Sequence, residues 1–423
     1  MSAEFGGPAG TADAASGAPL VIVGAGECGA RAAFALRDLG HQGRIVLVGD
    51  EEHHPYERPP LSKGLAGPGG PSIVFTPEQM DEAGVEYLVG RTASALDVAQ
   101  RTVTLDDGSQ LEYARLLLAT GAQARRLSCP GHAHARTFRT AHDAVELHNR
   151  LVPGTHLCVV GGGFIGLELA AMARQAGCQV TVLEAGPRML ARAVPVGAAD
   201  ALVARHRAAG VKTVTGVTVT SIESVEAGRF AVVTSDHGTV TCDLVLAGVG
   251  ASPNVALAQD AGLAVDDGIL VDDHLATSDR DVYAAGDCTR FPHPDRSGRT
   301  VRLEAWRNAI DQAEVAARNL LGHAEEYVPV PWFWSDQYDL GLQITGLPGG
   351  GRTEVARHYD DDRTIWFELD PGRAVLRASG IGPGTSVAKD IRVAQMMIAA
   401  GHPVDAADLA DPRVPLKKIL QRA

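Results

Sequence analysis

The apolar positions fall into short unbroken runs, most of them ending at a glycine. Leu20-Val21-Ile22-Val23 runs into Gly24-Ala25-Gly26-Glu27-Cys28-Gly29, a pattern that predicts a strand buried on both faces. Helix-spaced apolar positions at Ala30, Ala33, Phe34 and Leu36 continue to Gly40, and the next run, Arg44 to Val48, stops just before Asp50. Beyond the proline-rich Tyr56-Glu57-Arg58-Pro59-Pro60-Leu61-Ser62-Lys63, alternating patterns include a hairpin turning at Asp106-Asp107-Gly108. Leu116-Leu117-Leu118-Ala119-Thr120-Gly121 is a further buried strand and closes the set.

From Thr155 the same order returns. Cys158-Val159-Val160 enters Gly161-Gly162-Gly163-Phe164-Ile165-Gly166-Leu167-Glu168, a helix runs to Gly177, and a strand from Gln179 to Leu183 ends at Glu184. Strand-rich sequence then leads to Gly248-Val249-Gly250-Ala251-Ser252-Pro253-Asn254. Asp281-Val282-Tyr283-Ala284-Ala285 predicts a strand finishing in Gly286-Asp287, and a long helix pattern from about Glu304 to Leu321 is stopped by Gly322. From Pro331 the pattern becomes aromatic and alternating, with turns at 348–351 and Pro371-Gly372 and a closing helix near Lys389 to Ala400. The fold class is α/β: two nucleotide-binding halves and a smaller third domain.

Length and charge narrow the function. The 423 residues suffice for two or three domains, and a net charge of -13 argues against non-specific nucleic-acid binding. The six cysteines (Cys28, Cys129, Cys158, Cys178, Cys242, Cys288) include no two closer than 20 residues, which excludes a C-x-x-C redox pair and a zinc knuckle. His53-His54 and His132/His134 lack accompanying ligands at fixed offsets and read as solvated loops, so no metal is expected. No apolar span of about 20 residues and no signal peptide is found, and residues 1–18 read as a disordered tail. A soluble, cytoplasmic enzyme is expected.

The repeated G-x-G-x-x-G carries the chemistry. Its three glycines give a tight turn, a close backbone approach to a pyrophosphate, and close packing of helix on strand. Asp50, 21 residues past Gly29, and Glu184, 18 past Gly166, sit where a carboxylate accepts from ribose hydroxyls. Glu184 would also repel a 2'-phosphate, although Arg188 and Arg192 follow closely. The residues alone leave Glu168 open between a functional acid and a structural cap.

At this level of detail the chain resembles the FAD-dependent, glutathione-reductase-like ferredoxin reductases of bacterial oxygenase systems. The resemblance rests on Arg58 to Lys63, Ala119-Thr120-Gly121-Ala122, Gly161 to Glu168, Ala285-Gly286-Asp287-Cys288, Arg302-Leu303-Glu304-Ala305-Trp306 and Pro331-Trp332-Phe333-Trp334-Ser335-Asp336-Gln337. It implies a discontinuous FAD domain (19–128 and 252–328), an NADH domain (129–251) and a C-terminal domain (329–423). It places Gly24, Gly26, Gly29, Asp50, Arg58, Lys63, Ala93, Thr120, Gly121, Arg139, Asp287, Glu304, Trp306 and Trp334 at FAD. On the NADH side it places Gly161, Gly163, Phe164, Ile165, Gly166, Glu168, Glu184, Arg192 and Gly250. Lys63 and Glu168 would pair and tune hydride transfer, Glu304 would lie near the nicotinamide carboxamide, and Trp334 against the flavin, with Trp332 a plain core residue.

The activity implied is hydride transfer from NADH to FAD, then single electrons to a two-iron, two-sulfur ferredoxin serving a haem or Rieske oxygenase. Two other readings stand beside it: the same core with rubredoxin, a quinone or oxygen as acceptor, and a redox-gated binding flavoprotein like apoptosis-inducing factor. Arg299, Arg302 and Arg307 are candidates for a basic ferredoxin-docking patch, and a monomer or weak homodimer is expected. The identity of the ferredoxin, the oxygenase and the final substrate is not written in this chain.

Overall fold

The computed structural model describes residues 17–63, 71–191, 193–293, 298–347, 353–360 and 362–422. All but the last two residues of the expected tail, and the whole turn expected at 348–351, lie outside the described residues, as does Arg192. The described residues of 1–58, 71–123 and 251–329 form one compact unit, and those of 59–70, 124–250 and 330–423 form a second.

In the first unit, a five-stranded parallel sheet is ordered Val282–Ala284, Arg115–Leu118, Leu20–Val23, Ile45–Gly49, Val85–Val89. Its central strand is buried at every position, as the unbroken apolar run predicts for a parallel sheet covered on both faces. The edge strand Val282–Ala284 is supplied from beyond the second unit's nucleotide half, so the first sheet closes only after the chain has returned. Helix Glu27–Asp38 packs on helix Trp306–Leu320. Arg115, buried in its strand, donates to the carbonyls of Asn319 and Leu320 and so satisfies the last turn of that helix. The expected hairpin is present as strands Thr102–Leu105 and Gln110–Glu112, with Gly108 at φ +82° in the turn.

The second unit repeats the plan. Its parallel sheet is ordered Lys212–Thr215, Gln179–Glu184, His156–Val160, Leu244–Ala247, Ala135–Arg136. Each parallel sheet is interrupted in the chain by a three-stranded antiparallel sheet, 93–112 just before strand Arg115–Leu118 in the first unit and 219–242 just before strand Leu244–Ala247 in the second. The C-terminal residues form a five-stranded antiparallel sheet ordered Trp332–Gln337, Leu340–Gly346, Val375–Pro383, Thr364–Leu369, Thr353–His358. Helix Ala388–Ala400 covers it over a core of Ile365, Phe367, Ile391 and Met397. The fold is therefore α/β: two Rossmann-like halves plus a smaller α+β portion.

Two boundaries differ from expectation. The C-terminal portion has its own core but clusters with the second unit. Helix Pro60–Lys63, read as part of the first nucleotide half, also lies in the second unit and packs on helix Phe164–Gln175, because Ser62 and Lys63 hydrogen-bond to Glu168 of that helix.

Candidate functional site

The two glycine turns have the same stereochemistry. Gly24 (φ +110°) and Gly161 (φ +112°) lie in the left-handed half of backbone space, and a β-carbon there would overlap the carbonyl oxygens of Ala119 and Gly248 respectively. A β-carbon on Gly29 or Gly166 would overlap the carbonyl oxygen of Gly24 or Gly161, so the third glycine lets each helix press against its own turn. The middle glycines differ: a β-carbon at Gly26 or Gly163 meets nothing within 4 Å. Those are the N-caps of helices Glu27–Asp38 and Phe164–Gln175, and neither receives a side-chain cap. By contrast, the helices at Pro77 and Ala141 are closed by full capping boxes from Thr76 and Thr140. Two helix ends with uncapped N–H groups and open space before them fit a pyrophosphate each.

Around the first turn, Glu51 is occupied: it accepts from Tyr56 Oη at 2.6 Å and from Arg58 at 2.7 Å. Asp50, exposed just past strand Ile45–Gly49, is held by neither. The Arg58 guanidinium lies 5.4 Å from the centre of the Tyr56 ring. Burial works to lower its pKa, but Tyr56, Glu51 and Asp287 outweigh that and the net direction is upward. Asp287 follows Gly286 (φ +85°) at the end of the returning strand. Thr120 and Asn254 exchange hydrogen bonds of 2.6 and 2.8 Å beside Gly121, and Ala93 opens the antiparallel sheet. Trp306 is the first residue of its helix, not an interior one, and its indole lies close enough to Glu27 to favour the charged carboxylate, although burial raises the Glu27 pKa on balance. Glu304 pairs with Arg302 two residues before that helix.

At the second turn, Glu184 accepts from the backbone N–H of Gly162 at 2.7 Å and of Gly186 at 2.6 Å, which aims the carboxylate along the glycine loop. Arg188 donates to the carbonyls of Met189, Leu190, Ala191 and Val194, so this arginine is engaged with its own loop. Gly250, at φ +99°, accepts from the N–H of Arg125. Phe164 packs on Phe333 with ring centres 4.6 Å apart, and Ile165 is exposed. Arg139 precedes the helix capped by Thr140, and its N–H donates to Asp143.

The densest cluster surrounds Glu168, which is 2% exposed. Lys63 Nζ lies 2.8 Å from its Oε1, Ser335 Oγ donates to the same oxygen at 2.5 Å, and Ser62 Oγ donates to Oε2 at 2.5 Å. An ion pair this buried persists only where the remaining lone pairs are satisfied, and the two serines supply that. Glu168 is the fifth residue of its helix, past the first turn where a structural cap would sit, so these donors, more than the helix dipole, hold it. Lys63 Nζ also lies 5.2 Å from the centre of the Trp334 ring, which stacks on Trp332 at 5.1 Å. Three residues far apart in sequence, Lys63, Glu168 and Trp334, thus form one cluster in the second unit.

Ser62 and Ser335 lie inside the motifs that carried the resemblance, yet sequence reasoning assigned them no role; a serine next to a lysine or an aromatic gives no signal of a partner more than 100 positions away. Of the suggested basic patch, Arg302 pairs with Glu304 and Asp267, and Arg307 with Asp311 at 2.8 Å. These partners neutralise much of the patch. All six cysteines are free thiols, and burial raises the Cys28 and Cys288 pKa values, so neither is poised as a thiolate. Among the described residues no helix is long and apolar enough to cross a membrane.

The chain matches the family described as "Pyridine nucleotide-disulphide oxidoreductase" over residues 18–313, and "Reductase C-terminal" over 332–420. It belongs to the pyridine nucleotide-disulphide oxidoreductase family. The chain is accordingly an oxidoreductase, with the repeated half and the C-terminal portion both accounted for. It is 41% identical over 417 residues to the anthranilate 1,2-dioxygenase system ferredoxin--NAD(+) reductase component of Burkholderia cepacia, covering 95% of this chain and 99% of that relative. Among solved structures it resembles the ferredoxin reductase for the CYP199A2 system from Rhodopseudomonas palustris (TM-score 0.89, 37% identity, 95% and 99% covered). It equally resembles the reductase in a covalent putidaredoxin reductase-putidaredoxin complex (TM-score 0.89, 36% identity, 96% and 99% covered).

Proposed function

We propose that this chain is the NADH-dependent ferredoxin reductase of an oxygenase system, with FAD on the Gly24–Gly29 turn and NADH on the Gly161–Gly166 turn. The observation that carries the reading is the duplication itself: two uncapped, open-faced helix N-termini built the same way, one in each unit. Full-length likeness to ferredoxin--NAD(+) reductase components supports the choice of acceptor. FAD, when bound, supplies the chemistry that links a two-electron hydride donor to a one-electron acceptor.

The protein's part is binding and electrostatics. Asp50 and Glu184 accept from adenosine ribose hydroxyls on the two sides, and Arg58, with Asp287 close enough to act on its charge, faces the flavin nucleotide. Engagement of Arg188 with four carbonyls leaves the Glu184 carboxylate to decide against a 2'-phosphate, hence NADH. The Lys63/Glu168 pair sets the charge felt at hydride transfer, and Trp334 gives an aromatic face to the flavin. Ala93, Thr120, Gly121, Arg139, Glu304 and Trp306 complete the FAD side; Phe164, Ile165 and Gly250, together with Arg192 outside the described residues, complete the NADH side. The acceptor is a two-iron, two-sulfur ferredoxin.

NADH-driven cytochrome c reduction, run with and without a panel of two-iron ferredoxins, tests this. At least one ferredoxin should accelerate the reaction strongly, with NADPH a much poorer donor; no acceleration by any would remove the ferredoxin assignment.

A further inference from the structure

The hydrogen bonds around Glu168 do not stop at its serines. Ser335 Oγ is 3.0 Å from Gln337 Nε2, Gln337 Oε1 is 2.7 Å from His206 Nε2, and His206 Nδ1 is 3.3 Å from Tyr338 Oη. Ser335, Gln337 and His206 are fully or almost fully buried, and Tyr338 is half-buried where it lines an open pocket of about 440 Å³ with Arg174 and Arg205.

One proton decides the direction of the whole chain. Ser335 has a single hydroxyl hydrogen, and the carboxylate of Glu168 can only accept, so that hydrogen points to Glu168. Gln337 must then donate to Ser335 through its NH₂, which turns its carbonyl oxygen toward His206. His206 must in turn carry its hydrogen on Nε2, which leaves Nδ1 bare to accept from Tyr338. Each link is imposed by the one before it. Burial lowers the His206 pKa and pushes that of Tyr338 up to about 12, so the neutral imidazole and the intact phenol that the chain needs are the favoured forms.

Tyr338 itself shows that the link is built at a cost. It stands at φ +57° in the two-residue turn between strands Trp332–Gln337 and Leu340–Gly346, a conformation that favours glycine or asparagine. Arg205, the neighbour of His206 on its helix, stacks 4.4 Å from the Tyr338 ring centre and binds Asp339 at 2.6 Å, clamping the turn.

We propose that Gln337 and His206 are positioning residues for the oxidoreductase reaction: with Ser335 and Tyr338 they form a one-way donor chain that fixes the Glu168 carboxylate beside Lys63. The inference rests on the role proposed above for Lys63/Glu168. An amide conducts no proton without tautomerising, so the chain orients and polarises Glu168 and does not carry protons to it. The pocket at Tyr338 is its surface end.

Two measurements on the FAD-loaded protein test the chain. Nitrogen-15 spectra of histidine-labelled protein, with His206 assigned through His206→Gln, should show His206 neutral and protonated at Nε2, its resonance moving in Ser335→Ala. A proton on Nδ1 overturns the proposal, because the direction would then be reversed. In single-turnover reduction by NADH, Gln337→Met, which fills the space without hydrogen bonds, and Ser335→Ala should each be slowed about three- to tenfold at unchanged NADH affinity. His206→Gln, which keeps an N–H donor in reach of Gln337, should remain within about twofold of wild type. If Glu168→Gln slows reduction and Gln337→Met and Ser335→Ala do not, the chain has no positioning role. If Glu168→Gln itself leaves the rate unchanged, the parent reading fails, while the protonated nitrogen of His206 still decides the direction of the chain.

Discussion

Glu168→Ala should slow NADH-driven reduction of the bound flavin by about 10- to 100-fold, a loss of ~1.4–2.7 kcal/mol of transition-state stabilisation. The variant should also be less stable by ~3–5 kcal/mol, the usual penalty for removing one partner of a buried ion pair. Both effects follow from the surroundings of the carboxylate. Its side chain is 1% exposed and that of Lys63 17%, so truncation leaves an ammonium with little water around it and the Ser62 and Ser335 hydroxyls without their acceptor. Glu168→Gln separates the two, because it keeps an oxygen acceptor while removing the charge. Stopped-flow reduction and urea denaturation read the two effects independently. A Glu168→Ala protein that reduced its flavin as fast as wild type would show that the pair has no part in hydride transfer, whatever its stability.

The middle glycines should be separable by ligand. Gly26→Val and Gly163→Val each place a side chain in open space, so the fold should tolerate both, while the bulk stands where a pyrophosphate would lie. Gly26→Val is expected to purify with its flavin content lowered at least about tenfold. Gly163→Val is expected to keep its flavin but bind NADH at least about tenfold more weakly, ~1.4 kcal/mol or more. The opposite pattern would exchange the two assignments. Gly24→Val and Gly161→Val are controls of another kind: both glycines have positive φ and face a carbonyl oxygen, so their replacement should lower the melting temperature of the whole protein.

The readable features were those whose requirements are local. The glycine turns, the apolar strands and the hairpin at Gly108 each follow from a few consecutive residues, and the second appearance of the set from Thr155 gave the two halves. The helix at Trp306 begins two residues after the expected Glu304, because the cap of that helix is Ala305 and offers no side-chain signal. Pairing across the fold was not legible from residue types. Lys63 and Glu168 were joined only through the family resemblance, and Ala93 was suggested by nothing else. Ser335, Gln337 and His206 were invisible because a buried polar chain is defined by register: Ser335 and Gln337 are two apart on one face of a strand, and His206 reaches them from a helix 131 positions earlier than Gln337. The basic patch near Arg302 shows the converse, since a run of arginines says nothing about the acids the fold sets beside it.

An anaerobic titration of the wild-type protein tests the central claim most directly. One flavin per chain should be bleached by one equivalent of NADH, and its colour should return on addition of ferredoxin, with two equivalents of ferredoxin reduced. A flavin that NADH does not bleach, or one that only oxygen or a quinone reoxidises, would contradict the account.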